Sequence, residues 1–239
     1  MPSTGNVQTG SSESLHDRDV PRILLISDER VAAVPVLDCG EILRDLRDIP
    51  ALRVGQRLVN ADVADAHVRT GVADRLVAAQ TLLPRGLRLL VVEGYRPLAL
   101  QQRLFAEYSA QLATDHPEWT MGQVRMAASQ HVAPPELAPH VAGAAVTLTL
   151  CTDDGAELPM GTSVDAGLAK NARALVTAST IISPEERANR SVLSGAMAAV
   201  ELVNYPTLWW HWSYGDRYWA HVTGRPSARY GPVPPPGAP

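Results

Sequence analysis

Residues 206–212 read P-T-L-W-W-H-W, three indoles and an imidazole in seven positions of a chain in which only 5% of residues are aromatic. Each tryptophan carries a large apolar area, so a cluster this dense has to be walled into the interior. With Ser213 and Tyr214 it reads as a strand, W-W-H-W-S-Y, that places His211 among the rings. A histidine so placed is a hydrogen-bonded core residue, a metal ligand or an acid–base group.

The rest of the chain supplies elements of both kinds. R-I-L-L-I at 22–26 reads as a short buried strand. Gly71 to Leu83 follows helical spacing, with Val72, Leu76, Val77 and Ala79 on one side and Pro84 closing it. L-R-L-L-V-V-E at 87–93 is an apolar strand bounded by glycines. It runs into G-Y-R-P, where Gly94 permits a turn and Pro97 opens a helix from Leu98 to about Leu112. A further helix is expected over Met121 to Gln130. Alternation from Ala145 through Leu150 marks a strand whose 145/147/149 face differs from its 146/148/150 face, and D-D-G at 153–155 is a hairpin turn signal. Ser183 is placed to cap a long helix from Pro184 to about Val203. Strands and helices alternate irregularly, which predicts a single α+β domain rather than a doubly wound parallel sheet.

Bulk properties narrow the class. Hydrophobic residues at 46% and charged residues at 19% describe a globular chain with a sizeable core. A net charge of −4 without a Lys/Arg-rich run argues against nucleic acid as partner. Cys39 and Cys151 are too few for a disulfide framework or a thiolate metal site. No apolar run approaches the roughly 20 residues of a membrane span, and residues 1–20 lack the apolar centre of a secretory signal. The expected organisation is a disordered tail over 1–20, one cytoplasmic domain over 21–225, and a Pro-rich tail over 226–239.

Five stretches carry a family resemblance: G-Y-R-P at 94–97, A-P-H-V-A-G-A-A-V-T-L-T-L at 138–150, M-G-T-S-V-D at 160–165, N-R-S-V-L-S-G-A-M at 189–197 and W-W-H-W-S-Y-G-D-R-Y-W-A at 209–220. In this order they resemble the zinc D-alanyl-D-alanine dipeptidases of the vancomycin-resistance type, in the M15 peptidase family. The resemblance covers roughly residues 35 to 222. It implies a mixed domain around a mainly antiparallel sheet, with a metal at the bottom of a confined cleft. It also implies that the first and last zinc histidines fall on His140 and His211, and the oxyanion-stabilising arginine on Arg96.

Two positions depart from that pattern. Thr147 stands where the resemblance calls for a zinc-binding aspartate, and Leu208 where it calls for the general-base glutamate; Ala138 replaces a common serine. Leucine cannot take a proton from water, and general-base help is typically worth on the order of 10²–10⁴ in rate. A threonine hydroxyl is a poor substitute for a carboxylate on zinc. No cofactor is therefore expected, and any zinc on His140 and His211 would be held weakly. Glu201, Glu136, Asp153 and Asp154 are the carboxylates near enough in sequence to replace a lost one, and spacing selects none.

Three functions compete. In the first, the cleft is repurposed: Arg96, His140 and His211 perform acid–base chemistry on a small amino-acid- or peptide-derived substrate, by cyclisation, elimination or isomerisation. Tyr95, Thr147, Trp209 and Trp210 would then contact that substrate, and a role in specialised metabolism would suit such drift. The second is an active dipeptidase with replaced ligands; the third is a small-ligand-binding pseudoenzyme. Retention of Arg96 and both histidines beside the Trp209–Trp210 wall favours the first, since imidazole exchanges protons near neutral pH.

Overall fold

The computed structural model describes residues 23–55, 66–164 and 172–237. Helix α1 (Glu29–Ala32), strands β1 (Leu43–Asp45), β2 (Arg53–Val54) and β3 (His67–Arg69), and helix α2 (Thr70–Leu82) lead into β4 (Leu87–Glu93). Helices α3 (Leu98–Asp115) and α4 (Met121–Ala128) follow, and then the central strand β5 (Ala145–Thr152). The chain ends through α5 (Ala172–Leu175), α6 (Pro184–Ala199), β6 (Val203–Asn204), β7 (His211–Ser213) and α7 (Arg217–Val222). The main sheet has the order β2-β4-β5-β7-β6, antiparallel throughout except for the β2–β4 pairing, and β1 and β3 form a separate antiparallel pair. The class is α+β, as expected.

Strand β5 organises the core because it is apolar or β-branched along its length and is buried on both faces from Ala145 to Cys151. Val146, Leu148 and Leu150 join the hydrophobic core with Leu76, Leu193 and Met197, each leucine contributing about 1.5–3 kcal/mol by burial. Thr147 lies on the opposite face, where the sheet forms the floor of a cleft. The difference between the two faces is therefore one of neighbours and not of solvent exposure.

Several boundaries differ from expectation. Ile23 to Ser27 is not a strand but irregular chain and a turn, and Ile26 is buried against the core. Helix α6 has the expected Ser183 cap, here completed by Glu186 into a capping box, but stops at Ala199, because Glu201 adopts a left-handed φ of 64° and the chain then enters β6. In W-W-H-W-S-Y only His211–Ser213 is strand; Trp210 O still accepts from the Leu148 amide of β5, but the His211 amide donates back to Leu208 O in a turn that precedes the strand. The stretch read as a Pro-rich tail contributes to the interior, with Ala228 bridged to Val36 and both Ala228 and Tyr230 buried. The expected tail over 1–20 and Asp165 of M-G-T-S-V-D lie outside the described residues.

The turn that carries His140 is braced from behind. Residues Pro139–Ala142 form a single 3₁₀ turn closed by Gly143, whose φ is 62°. Buried Arg69 donates from Nε to Ala142 O (2.8 Å), and its backbone amide donates to Gly143 O (2.8 Å). The same guanidinium reaches Asp38 (2.7 Å) and Gly231 O (2.9 Å), so one side chain fixes the turn, the loop after α1 and the C-terminal segment together.

Candidate functional site

Three adjacent strands put Glu93, Thr147 and His211 in one row. Glu93 on β4 is the register partner of Thr147 on β5, and Thr147 is in turn the partner of His211 on β7. Directly opposed residues in a sheet point to the same face, and all three line a cavity of about 210 Å³. His140 enters it from the 3₁₀ turn and Arg96 from the turn after β4.

A backbone clasp joins the last two. The Arg96 amide donates to His140 O (3.1 Å), and His140 Nδ1 lies 2.5 Å from Gly94 O. A carbonyl only accepts, so Nδ1 carries the proton and Nε2 presents a lone pair. That lone pair faces His211 Nδ1 at 3.2 Å, which makes His211 the donor between the rings; they meet edge to face with centroids 4.9 Å apart.

Arg96 is held by a planar fork. Its Nε and Nη2 donate to the two oxygens of Glu93 (2.6 and 2.5 Å), and Nη1 donates to Gln101 Oε1 (2.6 Å). Glu93 and Gln101 are both buried, and such bidentate pairs fix orientation as well as charge.

The charges follow from this packing. Burial alone would raise the Glu93 carboxyl, but the Arg96 charge, His140 and the Arg96 hydrogen bonds hold it below the usual range. Burial lowers His140, and Arg96 adds to the shift against opposing pulls from Glu93 and the Gly94 carbonyl. Burial, His140 and Arg96 together push His211 well below the ordinary imidazole value. At neutral pH the Glu93–Arg96 ion pair therefore faces His140 and His211 as neutral imidazoles.

Of the residues singled out from the sequence, Arg96, His140, His211, Thr147 and Trp210 line the cleft. Tyr95 and Trp209 do not. Tyr95 is fully buried, donating its hydroxyl to Val233 O (2.8 Å), because neighbouring residues of an extended turn face opposite ways and Arg96 takes the cleft side. Trp209 turns its indole Nε1–H to Thr162 Oγ1 (2.8 Å) and meets the Trp210 ring edge to face, at 85° with centroids 5.4 Å apart. Leu208 is a buried part of the cleft wall.

The carboxylates offered as replacements sit elsewhere. Glu201 pairs with Arg75 and Arg225, Glu136 with Arg125, and Asp153 with Arg88. Asp154 accepts from Thr152. Among the described residues the carboxylate in the cleft is Glu93, which sequence reasoning passed over as the last residue of an apolar strand. The signal was there: a charged residue closing L-R-L-L-V-V-E directly before the turn, three positions ahead of Arg96. Gln101 and His131 were missed as well, both cleft residues from helical or turn segments with no motif around them.

The donor chemistry bears on a metal. Two imidazole nitrogens converge, but among the described residues no group of three or more His, Cys, Asp or Glu comes together to hold an ion. Thr147 offers a neutral hydroxyl on the floor, and Glu93 is engaged with Arg96.

A family model described as D-Ala-D-Ala dipeptidase matches residues 56–225. A D-alanyl-D-alanine dipeptidase of Synechocystis sp. is 30% identical over 227 aligned residues, covering 79% of this chain and 87% of that protein. Among solved structures, a vancomycin-resistance D,D-pentapeptidase, VanY, in complex with Zn(II) aligns at 16% identity and a TM-score of 0.40, over 83% of this chain and 96% of the other. VanYB in complex with D-alanine-D-alanine aligns with the same identity and TM-score, over 94% of its own chain. By the reach of the family model and the identity to the cyanobacterial relative, this chain belongs to the D-alanyl-D-alanine dipeptidase family of M15 peptidases.

Proposed function

We propose that the protein is a member of this family that performs acid–base chemistry on a small amino-acid- or dipeptide-derived molecule, without zinc-dependent hydrolysis. The observation that carries the reading is the row Glu93–Thr147–His211, in which the central position offers a hydroxyl, with Leu208 forming the wall nearby. A resident catalytic zinc needs about three protein ligands, and among the described residues this set supplies two neutral nitrogens and a carboxylate already engaged with Arg96. Among the described residues, the groups present do not fit that ion.

What they fit is proton transfer. Both imidazoles are neutral near pH 7, and the Gly94 carbonyl fixes the tautomer of His140 so that His211 and His140 share one proton along a 3.2 Å line. Arg96, held flat by Glu93 and Gln101, faces the cleft as the group that steadies a substrate carboxylate or a developing enolate-type oxygen. The cavity is small beside the 300–1,000 Å³ common for drug-sized ligands, which suits a molecule of about dipeptide size.

One observation favours a second reading, an active zinc dipeptidase with an altered ligand set. Zinc bonds of about 2.0–2.1 Å at a tetrahedral angle put two ligating nitrogens roughly 3.3 Å apart, and His140 Nε2 and His211 Nδ1 are 3.2 Å apart. The two readings part on a metal analysis of protein purified without chelator, joined to an assay for D-alanyl-D-alanine cleavage. Zinc far below one ion per chain and no cleavage are expected. Exchange of carbon-bound protons in D₂O should then appear for some member of a panel of amino-acid and dipeptide derivatives, and vanish in His140→Ala and His211→Ala. Stoichiometric zinc with rapid cleavage would establish the dipeptidase instead.

A further inference from the structure

His131 lines the same cleft from the turn that follows α4. That turn is held by its backbone from two sides. Tyr205 donates its hydroxyl to Ser129 O (2.6 Å), Thr207 donates its hydroxyl to Gln130 O, and Gln101 donates from its side-chain Nε2 to Ala133 O (2.6 Å). The His131 amide itself donates to Ala128 O (3.0 Å). Every neighbour of residue 131 is thus pinned, yet the imidazole is not. It packs edge-on against Tyr108 with centroids 6.2 Å apart, and among the described residues its ring makes no hydrogen bond.

The two ring nitrogens differ. Nδ1 is sealed from solvent without a partner. Burial lowers the pKa of the ring, so it is neutral near pH 7 and carries a single N–H. A proton on Nδ1 would be a buried donor with nothing to accept it, at a cost of about 1–3 kcal/mol. The favoured tautomer puts the proton on Nε2, on a residue that lines the cleft. Unpartnered polar groups on an otherwise rigid wall are what a ligand site looks like before the ligand arrives.

We propose that His131 is a ligand-binding residue of this cleft, its Nε2–H donating to a carbonyl or carboxylate oxygen of the bound small molecule. The inference rests on the small-molecule reading of the cleft and adds a recognition point to it, supplied by the α4 turn rather than by the sheet. Its chemistry is selective: the donor rewards an acceptor oxygen and leaves an ammonium group in that place unpaired.

Nuclear magnetic resonance on full-length protein carrying ¹⁵N-histidine tests it, with the ring signals assigned through His131→Leu. The free protein should show the Nε2–H tautomer at His131. D-alanyl-D-alanine, and acetate as the smallest acceptor probe, should move that N–H downfield. Loss of one hydrogen bond to a charged acceptor should weaken dipeptide binding about tenfold or more in His131→Leu, whereas His131→Gln, which keeps an N–H near the same place, should retain most of it. An Nδ1–H tautomer, silence to both probes, or a leucine variant that binds like the natural protein would overturn the inference. Should the leucine variant fail to fold, the tautomer, the probe shifts and the glutamine variant still decide. None of these readouts needs turnover, so a failure of the acid–base reading at His140 and His211 would show separately.

Discussion

Glu93 and Thr147 stand side by side on β4 and β5, so the carboxylate of the cleft is the immediate neighbour of the position where the family resemblance calls for a zinc-binding aspartate. This bears on what restoring the missing groups would do. Thr147→Asp would set a second carboxylate beside Glu93, a repulsion that a bound dication relieves. The single change should therefore lower the melting temperature without metal and recover it with zinc, by about 2.7 kcal/mol at a hundredfold excess over Kd. Thr147→Asp with Leu208→Glu should add measurable D-alanyl-D-alanine cleavage, while Leu208→Glu alone adds none. A zinc titration and a dipeptide assay across the four proteins check this. Cleavage by the natural protein at the rate of the double variant would show that neither carboxylate was needed.

The Glu93–Arg96 pair makes a prediction in pH. Because the folded carboxyl is held below the ordinary value of 4.5, its contribution to stability is present above that value and is lost as pH falls through the lower folded one. Glu93→Gln should lower stability at pH 7, because the neutral amide replaces the two charge-assisted hydrogen bonds of the buried carboxylate to Arg96. It should also flatten the acid limb of the stability curve. The limb should not disappear, since Asp38, Glu41 and Asp45 are also held low. Urea melts of both proteins between pH 3 and pH 7 provide the comparison; parallel acid limbs would contradict the assignment.

How far the sequence revealed this site depended on the kind of signal. Strand β4 and the start of α3 were legible because an apolar run and a proline at the first helical position act locally. His140, Arg96 and His211 were legible as members of a spaced pattern. Glu93 was not, because its meaning lies in a cross-strand partner that no local rule names. Tyr95 and Trp209 look like cleft residues in sequence, next to Arg96 and Trp210, yet their side chains leave on the other side. Tyr230 was hidden by composition, one aromatic in a proline-rich stretch.

Gly143 is a test of the turn that presents His140. A methyl group there would meet Leu43 Cδ2 at 2.3 Å, at a φ of 62° that disfavours any side chain. Gly143→Ala should destabilise the protein by about 1–3 kcal/mol through strain and local overpacking. It should also disturb the hydrogen bond between His140 and Gly94 O, visible as a change in the His140 ring signals. An alanine variant with the natural melting temperature and unaltered histidine signals would show that the turn is not under this constraint.

The C-terminal segment yields the last prediction. It returns to the back of the same turn: Val233 donates to Val141 O (3.2 Å) and accepts from the Tyr95 hydroxyl, while Gly231 accepts from Arg69 and donates to Asp38. Tyr230 is 2% exposed and donates to Glu41 (2.7 Å). A stop after Ser227 would remove all of these together, leaving the Tyr95 hydroxyl without its acceptor and buried Arg69 with one acceptor fewer. The loss should be at least about 3 kcal/mol, since burial of one large aromatic alone is worth about that much. Tyr230→Phe keeps the packing and drops one hydrogen bond, so its cost should be nearer 1 kcal/mol. Because the segment braces Pro139–Ala142, the truncated protein should also lose the natural His140 ring environment, while Tyr230→Phe should keep it. Thermal melts and histidine spectra of the three proteins decide the matter. A truncated chain that melts with the full one would mean that the segment merely covers the turn, and that Arg69 alone holds His140 in place.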